Sequence, residues 1–359
     1  LSTTAANGLY VAGSAELFRT EGFTSYGGWG GGKFLARLGK KWGRTEVYAN
    51  LGAYASEWDS ADTVPAAAVQ ANEMGFYGGV DDSDGGRSHR FHASIHVDDR
   101  SADRKLRFLA YVVNSGTLLY SNYTYFLRSI DHGDQAEQGD RRLYFGTRTD
   151  GSWTLRSGTA DITLKGGAEY RGDLPRMEQW RTEERNRWDL STRFDGSIHS
   201  LGSYASAEVR FAEWFSAVAG ARYDHFFFNL AGVEDLSRPS GYVDQEVPLS
   251  GTASAGILSP KGALIFSPLE QWDIFFNYGR GFHSPDIRDM VRNADAQIPD
   301  AHVGELSTRL RLGRRFDVAV SIWLAYVEDE LFFDPDLGRS IGRGESRRMG
   351  EEVEIRWAP

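Results

Sequence analysis

The sequence has no cysteine and no long apolar run, and both absences limit what the protein can be. Without cysteine, the chain has neither disulfide bonds nor a cysteine-ligated metal or cluster. No apolar stretch approaches the roughly 18 residues of a membrane-spanning helix. Few segments have a sustained 3.6-residue period, and the best helical candidate, residues 64–74, is short. We therefore expect a protein with very little helix.

An excess of basic charge is also missing. The 359 residues contain 40 Lys and Arg against 50 Asp and Glu, which gives a net charge of −10. Nucleic-acid binding depends on basic patches, so we expect no nucleic-acid partner. The sequence begins at Leu1 without the basic and apolar regions of a signal peptide, so we expect any targeting segment to lie outside it.

What the sequence does contain is alternation of apolar and polar residues. In residues 90–98, Phe91, Ala93, Ile95 and Val97 share one face, while Arg90, His92 and His96 share the other. The same period of two recurs in about 14 segments and predicts β-strands. These are about residues 8–18, 32–39, 44–57, 87–98, 104–113, 141–149, 153–170, 203–211, 214–228, 256–267, 271–282, 304–312, 316–333 and 347–358.

Short and long connections alternate between these strands. Short turns are predicted near residues 40–43, 99–103, 150–152, 212–214, 268–271 and 313–315. Long polar loops are predicted at residues 58–86, 114–140, 171–202, 229–255, 283–303 and 334–346. Short turns on one side and long loops on the other are typical of outer-membrane barrels. Trp42, Trp153, Trp214 and Trp272 lie at the short turns, as an aromatic girdle at one bilayer interface would.

These patterns predict an all-β fold, a transmembrane antiparallel up-and-down β-barrel. An open sheet would leave unpaired edges in lipid, which is not viable. Either the predicted strands close on themselves or they belong to a larger barrel. Because the sequence stops directly after a strand, we expect residues 1–359 to be one fragment of a single barrel domain.

Several motifs suggest chemistry but lack the context that the chemistry needs. Residues 27–33 fit a phosphate-binding loop, but Phe34 stands where Ser or Thr should bind the metal, so a flexible loop is favoured. Residues 338–342 match a nucleophile elbow but lie in a polar loop rather than a strand-to-helix turn. Clustered carboxylates in residues 81–86 and 131–134 could bind a cation, but neither has EF-hand spacing, so solvated loops are favoured.

Two groups of residues are candidate ligand contacts. Arg90, His92 and His96 line one face of one strand, and facing a lumen they could bind an anionic or metal-chelate ligand; the alternative is a hydrated polar wall. Tyr120, Tyr123 and Tyr125 cluster near a predicted outer loop, where aromatic rings either stack on a ligand or lie at the upper interface. No catalytic residue, metal ligand or cofactor site is predicted.

Four stretches together resemble the β-barrel of TonB-dependent outer-membrane receptors. They are Gly202-Ser203-Tyr204-Ala205 with Gly220-Ala221-Arg222-Tyr223-Asp224, Leu258-Ser259-Pro260-Lys261-Gly262-Ala263, Tyr278-Gly279-Arg280-Gly281-Phe282-His283-Ser284-Pro285, and Ser346-Arg347-Arg348-Met349-Gly350-Glu351-Glu352-Val353-Glu354. In the third stretch His283 stands where the family often has Arg. The resemblance covers residues 200–359; the first 200 residues agree only in pattern.

The resemblance implies a barrel of about 22 strands with a plugged lumen, of which the sequence holds about 14. No plug domain and no TonB box are visible in these residues. It further implies a Gram-negative outer-membrane receptor that takes up a ferric siderophore or similar chelate and draws energy from the TonB-ExbB-ExbD complex. Arg280 and His283 then become further candidate ligand residues. The alternatives are a passive porin, an all-β enzyme, for which only Ser340 is a candidate nucleophile, and a soluble β-sandwich that binds glycans.

Overall fold

The computed structural model describes residues 2–5, 7–60, 64–127, 129–158, 160–235, 246–283, 286–292, 297–313, 315–328, 330–334, 339–342 and 344–357. Within these residues the chain forms strands and two short helices. In chain order they are β1 (Ser2–Thr4), β2 (Leu9–Thr20), β3 (Trp29–Trp42), β4 (Thr45–Asp59), α1 (Ala66–Gln70), β5 (Gly85–Arg100), β6 (Arg104–Ser121), β7 (Ala136–Ser157), β8 (Ala160–Glu183), β9 (Asn186–Ala212), β10 (Phe215–Asp235), β11 (Glu246–Pro248), β12 (Gly251–Leu269), β13 (Trp272–Phe282), α2 (Ile287–Arg292), β14 (Asp300–Leu312), β15 (Phe316–Val327), β16 (Leu331–Asp334), β17 (Arg339–Gly342) and β18 (Ser346–Trp357).

The strands form one antiparallel up-and-down sheet. From β1 to β10, and then through β12, β13, β14, β15 and β18, each strand pairs with the next along the chain. The short strand β11 pairs with β10, and β16 and β17 form a separate two-stranded antiparallel sheet. Within the described residues the sheet is not closed, because no pairing joins β1 to β18. The all-β, up-and-down prediction is confirmed, and each of the 14 predicted strands overlaps a long strand.

Five of the six predicted short turns connect strands at one end of the sheet, here called the turn end; the opposite end is the loop end. Two predicted connections are wrong. Residues 150–152 lie inside β7, and the chain turns instead between Ser157 and Ala160. Residues 171–202 are not a long loop. They continue β8 and β9 as a hairpin that turns at Glu184 and Arg185, whose φ angles are 49° and 66°.

The reason for the second error is physical. An apolar–polar alternation arises only where one face of a strand meets an apolar phase. The strands β8 and β9 have 24 and 27 residues, whereas about 9–11 residues cross a bilayer. Their outer parts are polar on both faces, so the sequence there has no strand period. The flexible loop predicted at residues 27–33 is also wrong for most of its length. Strand β3 begins at Trp29, and Lys33 forms an ion pair with Glu16 within the sheet.

Helix occurs only in the connections at the loop end, among the described residues. The helix α1 lies within the predicted segment 64–74, and α2 was not predicted. No helix in the described part of the chain is long and apolar enough to cross a membrane. The nucleophile-elbow match at residues 338–342 falls partly outside the described residues, and its remainder is the strand β17 rather than a strand-to-helix turn.

The sheet has two faces of different character. The apolar face carries Phe91 and Ile95 of β5, which are 49% and 53% exposed. The polar face carries the alternate residues Arg90, His92 and His96. Aromatic side chains mark the apolar face at the turn end, where Trp42, Trp153, Trp214, Trp272 and Trp357 are all exposed. The predicted tryptophan positions at one end of the strands are therefore confirmed.

A buried apolar cluster lies at the loop end of β9, β10 and β12. It contains Phe194, Phe228, Leu230, Leu249, Ile287 and Met290. Two of its members, Ile287 and Met290, belong to α2, so this helix packs against the sheet. Strand alternation places Phe228 and Leu230 on the same face as Arg222. The helix α2 therefore covers part of the polar face near the loop end.

Candidate functional site

The centre of the candidate site is an aromatic ring between two arginines on the polar face. The Tyr144 ring lies 5.7 Å from the Arg90 guanidinium carbon and 4.6 Å from that of Arg171. Tyr111 packs edge-on against Tyr144, with ring centroids 6.4 Å apart. These side chains come from four neighbouring strands, β5 to β8. We refer to Arg90, Tyr111, Tyr144 and Arg171 as the arginine–tyrosine cluster.

The two arginines differ in how their charge is balanced. Arg171 donates to Asp173 at 2.8 Å, and Asp173 also lies 3.7 Å from Arg142. Arg90 is exposed and makes no ion pair within the described part of the chain. An unpaired guanidinium beside an aromatic ring can bind an anionic group and stack on a planar one. The cluster therefore places a cation beside an aromatic ring, and a ligand role for Arg90 stays a prediction.

His92 lies two residues further toward the turn end on the same face. Its ring rests against Gly52 of β4, where any larger side chain would collide with the imidazole. Beside it is a shallow groove of about 510 Å³, lined among others by Arg37, Asn50 and His92. His92 can thus face a ligand together with two polar groups that were not singled out from the sequence.

His96 is held in a hydrogen-bonded stack. Its ring stacks on Tyr48 at 4.4 Å with an interplanar angle of 9°, and Arg37 lies on Tyr48 at 4.6 Å. His96 Nε2 also lies 3.1 Å from the Ser94 hydroxyl oxygen. The stack is nearer the turn end than Arg90. It supports the polar wall, and a ligand role for His96 stays a prediction.

The three predicted loop tyrosines have separate environments. Tyr120, at the end of β6, lies 5.2 Å from the Arg185 guanidinium and follows the alternation of the apolar face. Tyr123 is 58% exposed. Tyr125 has a φ angle of 58°, and its carbonyl accepts a hydrogen bond from the Asp134 amide at 2.6 Å. Only Tyr123 presents most of its side chain to solvent.

Arg280 and His283 lie far from the arginine–tyrosine cluster. Arg280 forms an ion pair with Asp300 and donates to the Leu258 carbonyl at 3.2 Å. Alternation along β13 puts Arg280 on the face of Tyr278, which is the apolar face. His283 is exposed, and its amide donates to the Pro299 carbonyl at 3.1 Å. Strand β13 is seven positions from β5, or about 33 Å along the sheet.

Beyond the strand ends, a buried polar network joins three connections. Gln135 is 2% exposed, and its Nε2 donates to the Ser83 hydroxyl at 2.7 Å and to Asp84 Oδ1 at 3.0 Å. Its Oε1 accepts hydrogen bonds from Thr182 at 3.0 Å and from the Arg185 amide at 2.8 Å. Arg185 Nε then donates to the Ser83 carbonyl at 2.5 Å. The network ties the β8–β9 hairpin to the loops that precede β5 and β7.

Residues 81–86 were expected to form a solvated loop, but Asp84 is fully buried within this network. Asp81 accepts hydrogen bonds from Ser83 and from Asn122 Nδ2, and the side chain of Gln135 lies against it and Asp84. Burial alone would raise the pKa of Asp81, but the hydrogen bonds from Ser83 and Asn122 outweigh it and lower that pKa. No group of three or more potential metal ligands occurs among the described residues.

The structure thus adds residues that sequence reasoning missed. Tyr144 and Arg171 complete the arginine–tyrosine cluster, and Arg37 and Tyr48 complete the stack at His96. The alternation of Arg142 and Tyr144 with Leu143 could have placed Tyr144 on the polar face. No sequence signal connected it to Arg90, because the contact depends on the register between β5, β6 and β7.

The fold and the two faces define an antiparallel β-barrel wall. Comparison with known proteins specifies the family to which this barrel belongs. Residues 21–358 match the family model described as TonB dependent receptor-like, beta-barrel. The chain therefore belongs to the TonB-dependent receptors, which are transporters rather than enzymes. This match agrees with the resemblance inferred from the sequence and disfavours the passive porin.

Solved structures show the same fold at low identity. The ferric citrate transporter FecA, in the unliganded form, has a TM-score of 0.80 and 13% identity, with 99% of this chain and 52% of that one covered. The siderophore receptor PiuA from Acinetobacter baumannii has a TM-score of 0.77 and 12% identity, with 99% and 58% covered. The copper transporter OprC has a TM-score of 0.72 and 13% identity, with 99% and 56% covered. The chain spans about half the length of these structures.

Proposed function

We propose that the chain forms part of the barrel of a Gram-negative outer-membrane receptor that takes up an anionic metal chelate of the ferric-siderophore class. The observation that carries this proposal is the arginine–tyrosine cluster on the polar face. It offers the unpaired cation of Arg90, the ring of Tyr144 and the second guanidinium of Arg171 within one patch. A planar, anionic chelate fits both the charge and the ring.

The membrane placement rests on the apolar face. Exposed apolar side chains such as Phe91 and Ile95 cover the middle of that face, and tryptophans mark its turn end. A lipid-facing band about 25 Å tall with aromatic girdles is the pattern of outer-membrane barrels. The apolar face then contacts lipid, the polar face lines the lumen, and the loop end faces outward.

In this proposal no covalent chemistry occurs on the chain. The loops and the upper polar face capture the ligand. The arginine–tyrosine cluster then binds the anionic groups of the ligand at the lumenal surface of the barrel. Energy for release and passage comes from the TonB-ExbB-ExbD complex, acting through parts of the receptor other than these residues. Capture is thus a matter of charge and stacking, which mutation of single side chains can test.

The test is ligand affinity of the whole receptor in detergent for a panel of ferric catecholate, hydroxamate and citrate complexes. We expect Arg90→Ala to weaken binding of at least one chelate by roughly 5- to 30-fold, because a desolvated cation contact contributes about 1–2 kcal/mol. The matched control is Arg87→Ala, which removes an exposed arginine from the apolar face of the same strand. Equal affinities for the wild type and Arg90→Ala across the panel would rule out the cluster as the site.

A second variant tests the outer candidates separately. The double substitution Arg280→Ala with His283→Ala removes both residues predicted from the family-like stretch. Arg280 is already paired with Asp300, so the structure favours a small effect on binding. A loss comparable to that of Arg90→Ala would move the ligand site toward β13. Unchanged binding for every ligand would remove these two residues from the site.

A further inference from the structure

Two arginines stand directly opposite each other on the apolar face near the loop end. Arg141 of β7 and Arg176 of β8 are partners in the strand register. Side chains at such positions have Cβ atoms about 4.5–5.5 Å apart, and like charges placed there repel. Arg141 is exposed and makes no ion pair among the residues that the structure describes. In this opposed arginine pair, Arg141 therefore lacks a carboxylate partner within the described residues, whereas Arg176 has two.

The nearby groups add little negative charge on the side of Arg141. The carboxylates close to the pair are Glu178 and Asp195, which lie 3.3 Å and 3.7 Å from Arg176. On the other flank the register partner of Arg141 is Gly116. The His89 ring lies over that glycine, so a third nitrogen-bearing side chain extends the row. The row is thus open to an anion between Arg141 and Arg176.

The height of the pair places it at the edge of the apolar band. Arg141 is 12 residues from Trp153 along β7. At 3.3 Å per residue and a tilt of 35–45°, this separation is about 28–32 Å along the membrane normal, against a band of about 25 Å. Two residues nearer the turn end, Leu143 and Leu174 are partners in the register, each 38% exposed. The arginines therefore begin where the apolar surface ends.

From this arrangement we infer that the opposed arginine pair binds the phosphate of a membrane lipid, with the acyl chains lying on Leu143 and Leu174. Two guanidiniums can each donate to phosphate oxygens, and the leucines continue directly into the apolar face. The site lies on the opposite face from the arginine–tyrosine cluster. It rests on the proposed placement of the apolar face in lipid, but not on the identity of the transported ligand.

The experiment measures lipid binding to the whole protein by native mass spectrometry from detergent micelles. The probes are phosphatidic acid, phosphatidylcholine and inorganic phosphate. We expect phosphatidic acid to bind the wild type, and Arg141→Ala or Arg176→Ala to weaken it about fivefold each, since a basic residue near a lipid surface contributes about 1 kcal/mol. The control Arg142→Ala removes the next residue of β7, which faces the other way and pairs with Asp140 at 3.0 Å.

The remaining outcomes also decide the matter. Unchanged phosphatidic acid affinity in Arg141→Ala overturns the proposal, and so does an equal loss in Arg142→Ala. Displacement by millimolar inorganic phosphate would assign the pair to a soluble anion instead. If the alanine variants do not fold, Arg141→Lys with Arg176→Lys keeps the charge and should retain affinity within about threefold; a loss as large as that expected for alanine overturns the proposal. Binding of neither lipid by the wild type also overturns the proposal, whereas loss of chelate binding alone would leave the lipid site standing.

Discussion

Replacing Gln135 by alanine should release the connections at the loop end without unfolding the sheet. Gln135 is 2% exposed, and its amide joins Ser83, Asp84, Thr182 and the Arg185 amide. Asp84 and Thr182 are themselves fully buried. The substitution therefore removes these four hydrogen bonds and takes one partner from each of the two buried side chains.

The size of the effect follows from those partners. A net contribution of about 1 kcal/mol per hydrogen bond, and more for a bond to a carboxylate, gives a loss of roughly 3–5 kcal/mol in the local free energy of opening. Water that enters the space in the variant would bring the loss toward the lower value. Each 1.4 kcal/mol is a tenfold change in an equilibrium, so the open population should rise about 100-fold or more.

Hydrogen–deuterium exchange of the detergent-purified protein measures this opening directly. The Arg185 amide donates to Gln135 Oε1, and the Asn122 amide donates to Asp84 Oδ2, so both report on the network. We expect their exchange to accelerate in Gln135→Ala, while amides in the middle of β7 and β8 keep their rates. The matched control is Gln138→Ala, three residues further along the chain in β7 and outside the network. Exchange within twofold of the wild type at Arg185 would refute the claim that Gln135 holds the hairpin.

Two further predictions concern lipid contact and pH. Ile95→Arg should cost about 2–4 kcal/mol of unfolding free energy in micelles, whereas Leu310→Arg should cost only about 0–1 kcal/mol, because Leu310 pairs with Trp272 at the turn-end interface; equal costs for both would contradict the assigned depths. The lowered pKa of Asp81 means that its contribution to loop stability is fully present above the usual value of 3.8 and is lost as the pH falls through the folded-state value. Cleavage of the loop by an acid protease should therefore rise between pH 4 and pH 2 in the wild type, and Asp81→Asn should show a flatter pH dependence. A parallel pH dependence in both proteins would show that other groups control the loop.

The outer hairpin of β8 and β9 shows how sequence-based assignment fails at these strand ends. Within the apolar band, alternation located every long strand, since one face must be apolar there. Beyond the band both faces meet water, and residues such as Arg181 and Asp189 pair across the hairpin at 2.9 Å without any apolar period. The turn at Glu184 and Arg185 carries no glycine, although both residues have positive φ angles. Propensity therefore gave no signal for the tight turn.

In the candidate site, too, the sequence predicted the face on which residues lie but not the contacts between strands. Alternation in β5 placed Arg90, His92 and His96 on one face, and the structure agrees with this placement. It could not show that Tyr144 and Arg171 meet Arg90, because period two specifies a face but not the register between strands. Tyr120 and Arg280 illustrate the converse. Both were chosen as candidates because of their residue type and their position near loops. Both lie on the apolar face, where Tyr120 contacts Arg185 and Arg280 pairs with Asp300.

The sequence by itself therefore determined the all-β class, the number and direction of the long strands, the end at which the short turns lie, and the family. Each of these depends on local periodicity, turn residues or short motifs, which neighbouring residues encode. Only the tertiary structure decided which charges face each other. The arginine–tyrosine cluster, the Gln135 network and the opposed arginine pair each join residues from different strands or loops. Their contacts arise from interstrand register, and register is fixed by the packing of the whole sheet.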